Sequence, residues 1–189
     1  DDSREIDGPW TLSFPADSGA PKSLQLDPLV SWSVHPDPNV RHFSGTAVYS
    51  NEFQVPDFKS RIVLDLGQVE IMARVKVNDQ DLGILWKAPY QVDITSAVVP
   101  GANRLEISVV NLWVNRLIGD QALAEDSERD KTGSLTAWPR WVLDGKPSPT
   151  GRRTFVTFPL WKKDSPLRDS GLLGPVVLRS ASAPAAIRN

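Results

Sequence analysis

The amino-acid sequence predicts an all-β chain in which two antiparallel sheets pack face to face as a β-sandwich. Three observations predict it. Apolar residues recur at every second position in six or more short runs, short polar turns separate those runs, and no helical period of matching length intervenes before residue 112. A strand that is apolar on one side must bury that side against another layer, so many such strands without helices resolve into two stacked sheets.

The elements follow in order. Trp10, Leu12 and Phe14 share one face of a first strand, and Ala47, Tyr49, Phe53 and Val55 share one face farther on. After Pro56 the segment Asp57-Phe58-Lys59-Ser60 reads as a turn, and Ile62, Leu64 and Leu66 resume the alternation. In "VEIMARVKV" the residues Val69, Ile71, Ala73, Val75 and Val77 lie on one side and Glu70, Arg74 and Lys76 on the other, as one half-buried strand requires. Asn78-Asp79-Gln80-Asp81 tolerates turn geometry, and Leu82 to Trp86 runs back as the second arm of a hairpin. Tyr90, Val92 and Ile94 form another strand. Pro100-Gly101-Ala102-Asn103 turns the chain into a last clear one through Leu105, Ile107 and Val109.

The pattern then fails. From Leu112 through Arg153 no period is sustained, and Gly119 to Thr136 is a polar tract. "DQALAEDSERDK" has residues that suit one or two helical turns but too few apolar positions to anchor them, so the segment reads as a long functional or disordered loop. Order returns in Thr154 to Phe158 and in Gly174 to Leu178, the latter closing a sheet. The organisation expected is one sandwich domain over 1–180, with a loop insertion at about 113–153 and a loose tail over 181–189.

Composition narrows the function classes. A chain of 189 residues suffices for one domain with a real core. The 21 Lys and Arg against 23 Asp and Glu leave a formal charge of -2, without the basic footprint that nucleic acid selects. No run approaches the ~20 consecutive apolar residues of a membrane helix. Cysteine is absent, which removes disulfides, thiolate metal sites and cysteine nucleophiles. The opening Asp1-Asp2-Ser3-Arg4-Glu5 has neither an initiator methionine nor a signal-peptide apolar stretch, as in a processed product or an excised piece.

Catalytic signatures are weak. His35 and His42 sit in "SVHPDPNVRHFSG" without a nucleophile elbow. Glu125, Asp126, Glu128 and Asp130 read as a solvated charged loop rather than a rigidly spaced carboxylate pair. Gly171 and Gly174 read as turn positions, not a phosphate loop. No cofactor is expected; a metal would have to be an oxygen-ligated structural calcium gathered from separate loops, for which the chain carries no signature.

The remaining signal is aromatic. The apolar face of a pyranose stacks on indole while its hydroxyls need amide, carboxylate and guanidinium partners, and Trp113, Asn115, Arg116 and Asp120 supply that mixture. Trp86 in "LWKAPY" and Trp138 and Trp141 in "AWPRW" also lie off the strand faces and join the candidates as one platform. The competing reading is that each indole only plugs an end of the sandwich or pins a loop.

"FSGTAVYSNEFQVP", "LDLGQVEIMARVKVNDQDLGILWKAPYQVDIT", "PGANRLEISVVNLWVNRLIGD" and "DSPLRDSGLLGPVVL" resemble the sugar-binding jelly-roll domain of family 2 glycoside hydrolases across nearly the whole chain. "GPWTLSF", "NLWVNRLIGD" and "SGLLGPV" look most like its version in bacterial α-L-rhamnosidases of glycoside hydrolase family 106. The resemblance implies a galactose-binding-like, non-catalytic module that binds carbohydrate beside a separate catalytic barrel of the same parent chain. That parent would be secreted or periplasmic and act on plant or microbial polysaccharide. It also implies that Asp120, with Asn115 and Arg116, occupies the segment where relatives carry a substrate-contacting acid. The alternative within the same family is a structural domain that braces the barrel and has no sugar affinity. The resemblance finds Asn78-Asp79 where Asn-Gly is usual, which implies an altered turn with the same strand pairing.

Overall fold

The computed structural model describes residues 2–56 and 60–181. The chain opens with β1 (Asp2–Glu5), β2 (Trp10–Ser13) and β3 (Ser23–Leu26), followed by a helical turn, α1 (Pro38–Arg41). Next come β4 (Thr46–Val55), β5 (Arg61–Asp65), β6 (Gln68–Glu70), β7 (Met72–Val77), β8 (Gln80–Leu85), β9 (Gln91–Asp93) and β10 (Gly101–Val110). Two helical segments, α2 (Val114–Asp120) and α3 (Arg140–Leu143), precede β11 (Gly171–Gly174) and β12 (Val177–Ala181).

These strands make the expected antiparallel sheets. One has four strands in the order β1-β12-β5-β9, the other six in the order β3-β2-β4-β10-β7-β8, and β11 pairs with β6 in a small third sheet. The ten-residue strands β4 and β10 pair along their whole length, from Gly101 opposite Val55 to Val110 opposite Thr46. Their alternate residues Ala47, Tyr49, Phe53, Val55, Leu105, Ile107 and Val109 are buried, and across the core they meet Ile62, Leu64 and Leu66 of the β5 region. The period-two pattern thus decides which face of each strand leaves water, at roughly 25 cal/mol per Å² of apolar surface removed.

Four local expectations are corrected. "VEIMARVKV" is not one strand: β6 ends at Glu70, Ile71 is only half-buried, and β7 begins at Met72 in the six-stranded sheet. At that corner the Ile71 N–H donates to the Val110 carbonyl (2.9 Å) and its own carbonyl accepts from the Tyr90 hydroxyl (2.8 Å), so the backbone stays satisfied outside a regular ladder. The hairpin turn contracts to Asn78-Asp79, with Val77 opposite Gln80; both residues have positive φ (48° and 68°), as a two-residue primed turn needs, so no altered turn type results. Gly101 to Asn103 belong to β10 rather than to the turn. Thr154 to Phe158 form no strand; the Val156 and Thr157 carbonyls accept from the Arg129 guanidinium instead of from a neighbouring strand. The expected turn at 57–59 and the tail beyond residue 181 lie outside the described residues.

Two core tryptophans answer the packing reading directly. Trp10 and Trp32 are fully buried, and Trp32 Nε1 donates to the Tyr49 hydroxyl at 2.6 Å. That hydroxyl also accepts from the Leu172 N–H (2.9 Å), tying β11 to the core, and burial pushes the phenol well above its ordinary pKa. Gly171 passes so close that an added Cβ would stand 2.5 Å from the Tyr49 hydroxyl and 2.6 Å from Trp32 Nε1, at a φ of +97°. Among the described residues no helix is long and apolar enough to cross a membrane.

Candidate functional site

The segment between β10 and β11 carries most of the candidate residues. It is ordered by polar staples rather than by a core of its own. α2 buries Ile118 and Asn115, and at its end the buried Asp120 accepts three hydrogen bonds on Oδ2, from the Arg153 N–H, the Thr154 N–H and the Thr154 hydroxyl, each at 2.8 Å. This clamps the start of the segment to residues more than thirty positions later. Arg129 donates to the carbonyls of Gly133, Val156 and Thr157, and Arg152 to those of Leu123 and Ala124. Glu125 lies 3.6 Å from both guanidiniums, so the acidic cluster is anchored and not merely solvated. A guanidinium offers five donors in a fixed fork, which lets one side chain satisfy carbonyls that a strand would otherwise have paired.

Two grooves result. The larger, about 700 Å³, is lined by Trp138, Trp141, Glu125, Asp126, Glu128 and Arg140 among others. Phe155 wedges between the two indoles, tilted 5.6 Å from the Trp138 ring and edge-on 5.7 Å from that of Trp141. Trp141 is half-buried with its Nε1 donating to the Asp126 carbonyl (3.1 Å), whereas Trp138 stands 58% exposed over the groove. Ser148 donates to Asp126 Oδ2 at 2.5 Å and fixes the far wall. A ring face open to water beside carboxylates and a guanidinium is the arrangement that a sugar ring can use.

The smaller groove, about 290 Å³, is lined by Trp113, Arg116, Arg153, Phe43 and Asp17 with adjacent loop residues. Trp113 is 58% exposed there. The Arg116 side chain is only 11% exposed, and its Nε lies 3.2 Å from Asp120 Oδ1 without a hydrogen bond forming. Burial first, and then the neighbouring Arg153 charge, lowers the Arg116 pKa from its ordinary value, against the opposing pull of Asp120. Gly119 lies close to both the His42 ring and the Arg116 guanidinium, and burial, then Arg116 and Arg41, lower the His42 pKa from its ordinary value.

The structure therefore divides the expected platform. Trp138 and Trp141 share one groove, and Trp113 and Arg116 share another. Trp86, 68% exposed, stands apart at the end of β8 with the Lys87 ammonium 5.2 Å from its ring centre. Asn115 and Asp120, expected beside a ligand, are buried and line neither groove. Asn115 is buried, its amide donating to the Arg168 carbonyl (2.7 Å) and accepting from the Arg168 N–H (2.8 Å). The Asn115 amide and Asp120 Oδ2 bond to the protein's own chain, while Asp120 Oδ1 faces the Arg116 guanidinium; the burial of α2 is the physical reason. Arg129, Arg152, Arg153 and Phe155 were not evident as site-forming residues; the spacing of Glu125 and Arg129 was their one legible signal. Among the described residues no group of three or more His, Asp or Glu side chains is placed to hold a metal ion.

The sequence profile of the glycosyl hydrolase 2 galactose-binding domain-like family matches residues 20–138, and the chain belongs to that family. It is 42% identical over 173 residues to a putative beta-glucuronidase of Formosa agariphila, covering 89% of this chain and 15% of that protein. The solved rhamnosidase from Novosphingobium sp. PP1Y superposes with a TM-score of 0.73 at 40% identity, covering 94% of this chain and 15% of that one. A beta-D-glucuronidase of Dictyoglomus thermophilum, 18% identical with a TM-score of 0.60 over 96% of this chain and 28% of its own, shares the fold. The chain thus spans about 15% of the length of the first two relatives.

Proposed function

We propose that the chain is the non-catalytic carbohydrate-binding domain of a larger glycoside hydrolase, an α-L-rhamnosidase acting on plant or microbial polysaccharide outside the cytoplasm. The observation that carries this reading is the Trp138 indole, open over a groove whose walls present Glu125, Glu128 and Arg140. A sugar would stack its C–H face on the ring and direct its hydroxyls to the charged rim. The likeness to a rhamnosidase supports the parent activity, and a neighbouring catalytic domain of the same chain completes the reading. Calorimetry with rhamnose-containing polysaccharides is expected to show binding by the isolated chain. Trp138→Ala should weaken it about tenfold or more, for the loss of roughly 1–2 kcal/mol of ring stacking, with an unchanged melting temperature. Binding that survives this change, or falls only together with stability, would refute the site.

A second reading keeps the fold and drops the sugar: the domain braces its catalytic neighbour. It is favoured by Met72, Ile84, Trp86 and Leu112, which are exposed near one end of the six-stranded sheet. The same titration separates the two, since a pure brace binds no polysaccharide.

A further inference from the structure

The smaller groove has a chemistry that the Trp138 site lacks. Arg116 and Arg153 both line it, and the exposed Trp113 indole lies alongside. Each arginine is held from below. Arg116 is paired through Nε with Asp120 Oδ1, while Asp120 Oδ2 is saturated by Arg153 N, Thr154 N and the Thr154 hydroxyl. Arg153 Nη1 donates to the Asp17 carbonyl, and the rest of that guanidinium has no hydrogen-bond partner among the described residues. The two terminal nitrogens of Arg116 find no acceptor among the described residues and, unlike the buried Nε, are not sealed from water, so they face the groove as free donors. A guanidinium fixed at its buried end, with outer donors open to a groove, suits a planar oxyanion that accepts from two of them at once.

We propose that this groove binds the carboxylate of a uronate residue in a glycan, with the carboxyl group against Arg116 and Arg153 and the sugar ring against Trp113. The volume, near the lower end of the ~300–1,000 Å³ typical of small-molecule sites, suits a single ring rather than an oligosaccharide. A carboxylate on a protein side chain would satisfy the arginines equally but would have no use for the neighbouring indole face, which is why a sugar is the ligand favoured. Asp17, exposed at the rim, sets a charge of the opposing sign and tunes the site downward. The site is separate from the Trp138 groove, so each stands or falls on its own variant.

The test titrates the whole chain with methyl β-D-glucuronide, methyl β-D-glucoside and N-acetyl-aspartate amide, following tryptophan fluorescence or calorimetry. The glucuronide should bind about tenfold or more tightly than the glucoside, and added salt should weaken it. Arg153→Gln and Trp113→Ala should each cut its affinity about tenfold at an unchanged melting temperature, and Asp17→Asn should raise it. Arg116→Gln serves only as a further check, because its loss leaves Asp120 buried without a counter-charge and threatens folding. Equal affinity for glucoside and glucuronide, or indifference to both Arg153→Gln and Trp113→Ala, would overturn the proposal. Binding of the aspartate amide as tight as that of the glucuronide would overturn it as well, and would assign the groove to a carboxylate of a neighbouring protein domain.

Discussion

At the scale of single residues, burial separates side chains of the same type into different roles. Trp10 and Trp32 hold the core, whereas Trp86, Trp113 and Trp138 turn their rings outward. The Tyr49 hydroxyl is the most consequential single group inside, because it receives Trp32 Nε1 and the Leu172 N–H together. Tyr49→Phe keeps the ring and removes both acceptor contacts, leaving two buried donors unpaired. We expect a loss of about 2 kcal/mol in chemical unfolding, since each orphaned buried donor costs roughly 1–3 kcal/mol before relaxation. An unchanged unfolding midpoint would mean that water replaces the hydroxyl. Asn103 is a similar case at the surface end of the core: its amide bonds the Val99 N–H and carbonyl and the Gly101 carbonyl and receives Asn78 Nδ2, so one side chain shapes the whole approach to β10.

At the scale of elements, the segment between β10 and β11 departs most from its sequence reading. Its polarity suggests disorder because apolar anchors are scarce. The structure supplies anchors of another kind, the Arg129 and Arg152 forks that bridge carbonyls far apart in the chain. Arg129→Ala therefore should loosen the segment while sparing the sandwich. Limited proteolysis is expected to cut it about tenfold or more faster between residues 121 and 160, with a global midpoint lowered by no more than about 1 kcal/mol, because local opening is decoupled from the core sheets. Uniform resistance to protease would place the anchoring elsewhere. The alternation of β4, β5 and β10 was legible because burial of one face leaves a trace at every second residue. The arginine anchors were not, because a guanidinium-to-carbonyl bond leaves no periodic mark and its partners lie about thirty positions away.

At the scale of the whole molecule, acid stability follows from carboxylates paired at sheet edges. Hydrogen bonds from the Thr95 hydroxyl and N–H, and then from Arg61, lower the Asp93 carboxyl from 3.8 to about 2. The Arg74 guanidinium, with help from the Gly83 N–H, does the same for Asp81, also to about 2. A carboxylate with a depressed folded pKa binds protons more weakly than in the unfolded chain. Its stabilisation is therefore complete above an unfolded pKa of about 4 and is lost as pH falls through about 2. Both groups are largely exposed, so the effect is a gentle decline rather than a sharp acid transition. In a series of thermal melts, Asp93→Asn should lower the midpoint at neutral pH and flatten its fall between pH values of about 4 and 2. A variant that declines as steeply as the parent chain would remove Asp93 from that account.

From sequence alone came the all-β class, the antiparallel pairing and most of the core, because each depends on local alternation between apolar and polar residues that any strand must carry. Also legible was that several indoles lie beyond the strand ends with charged neighbours. Only the tertiary structure decided which of those groups face solvent. It turned Asn115 and Asp120 inward onto the backbone of Arg168, Arg153 and Thr154, and it placed Trp113 and Trp138 in separate grooves. The physical reason is that a polar side chain is satisfied equally well by a ligand or by a carbonyl of its own chain, and which partner arrives depends on contacts between residues too distant in sequence to leave any local pattern.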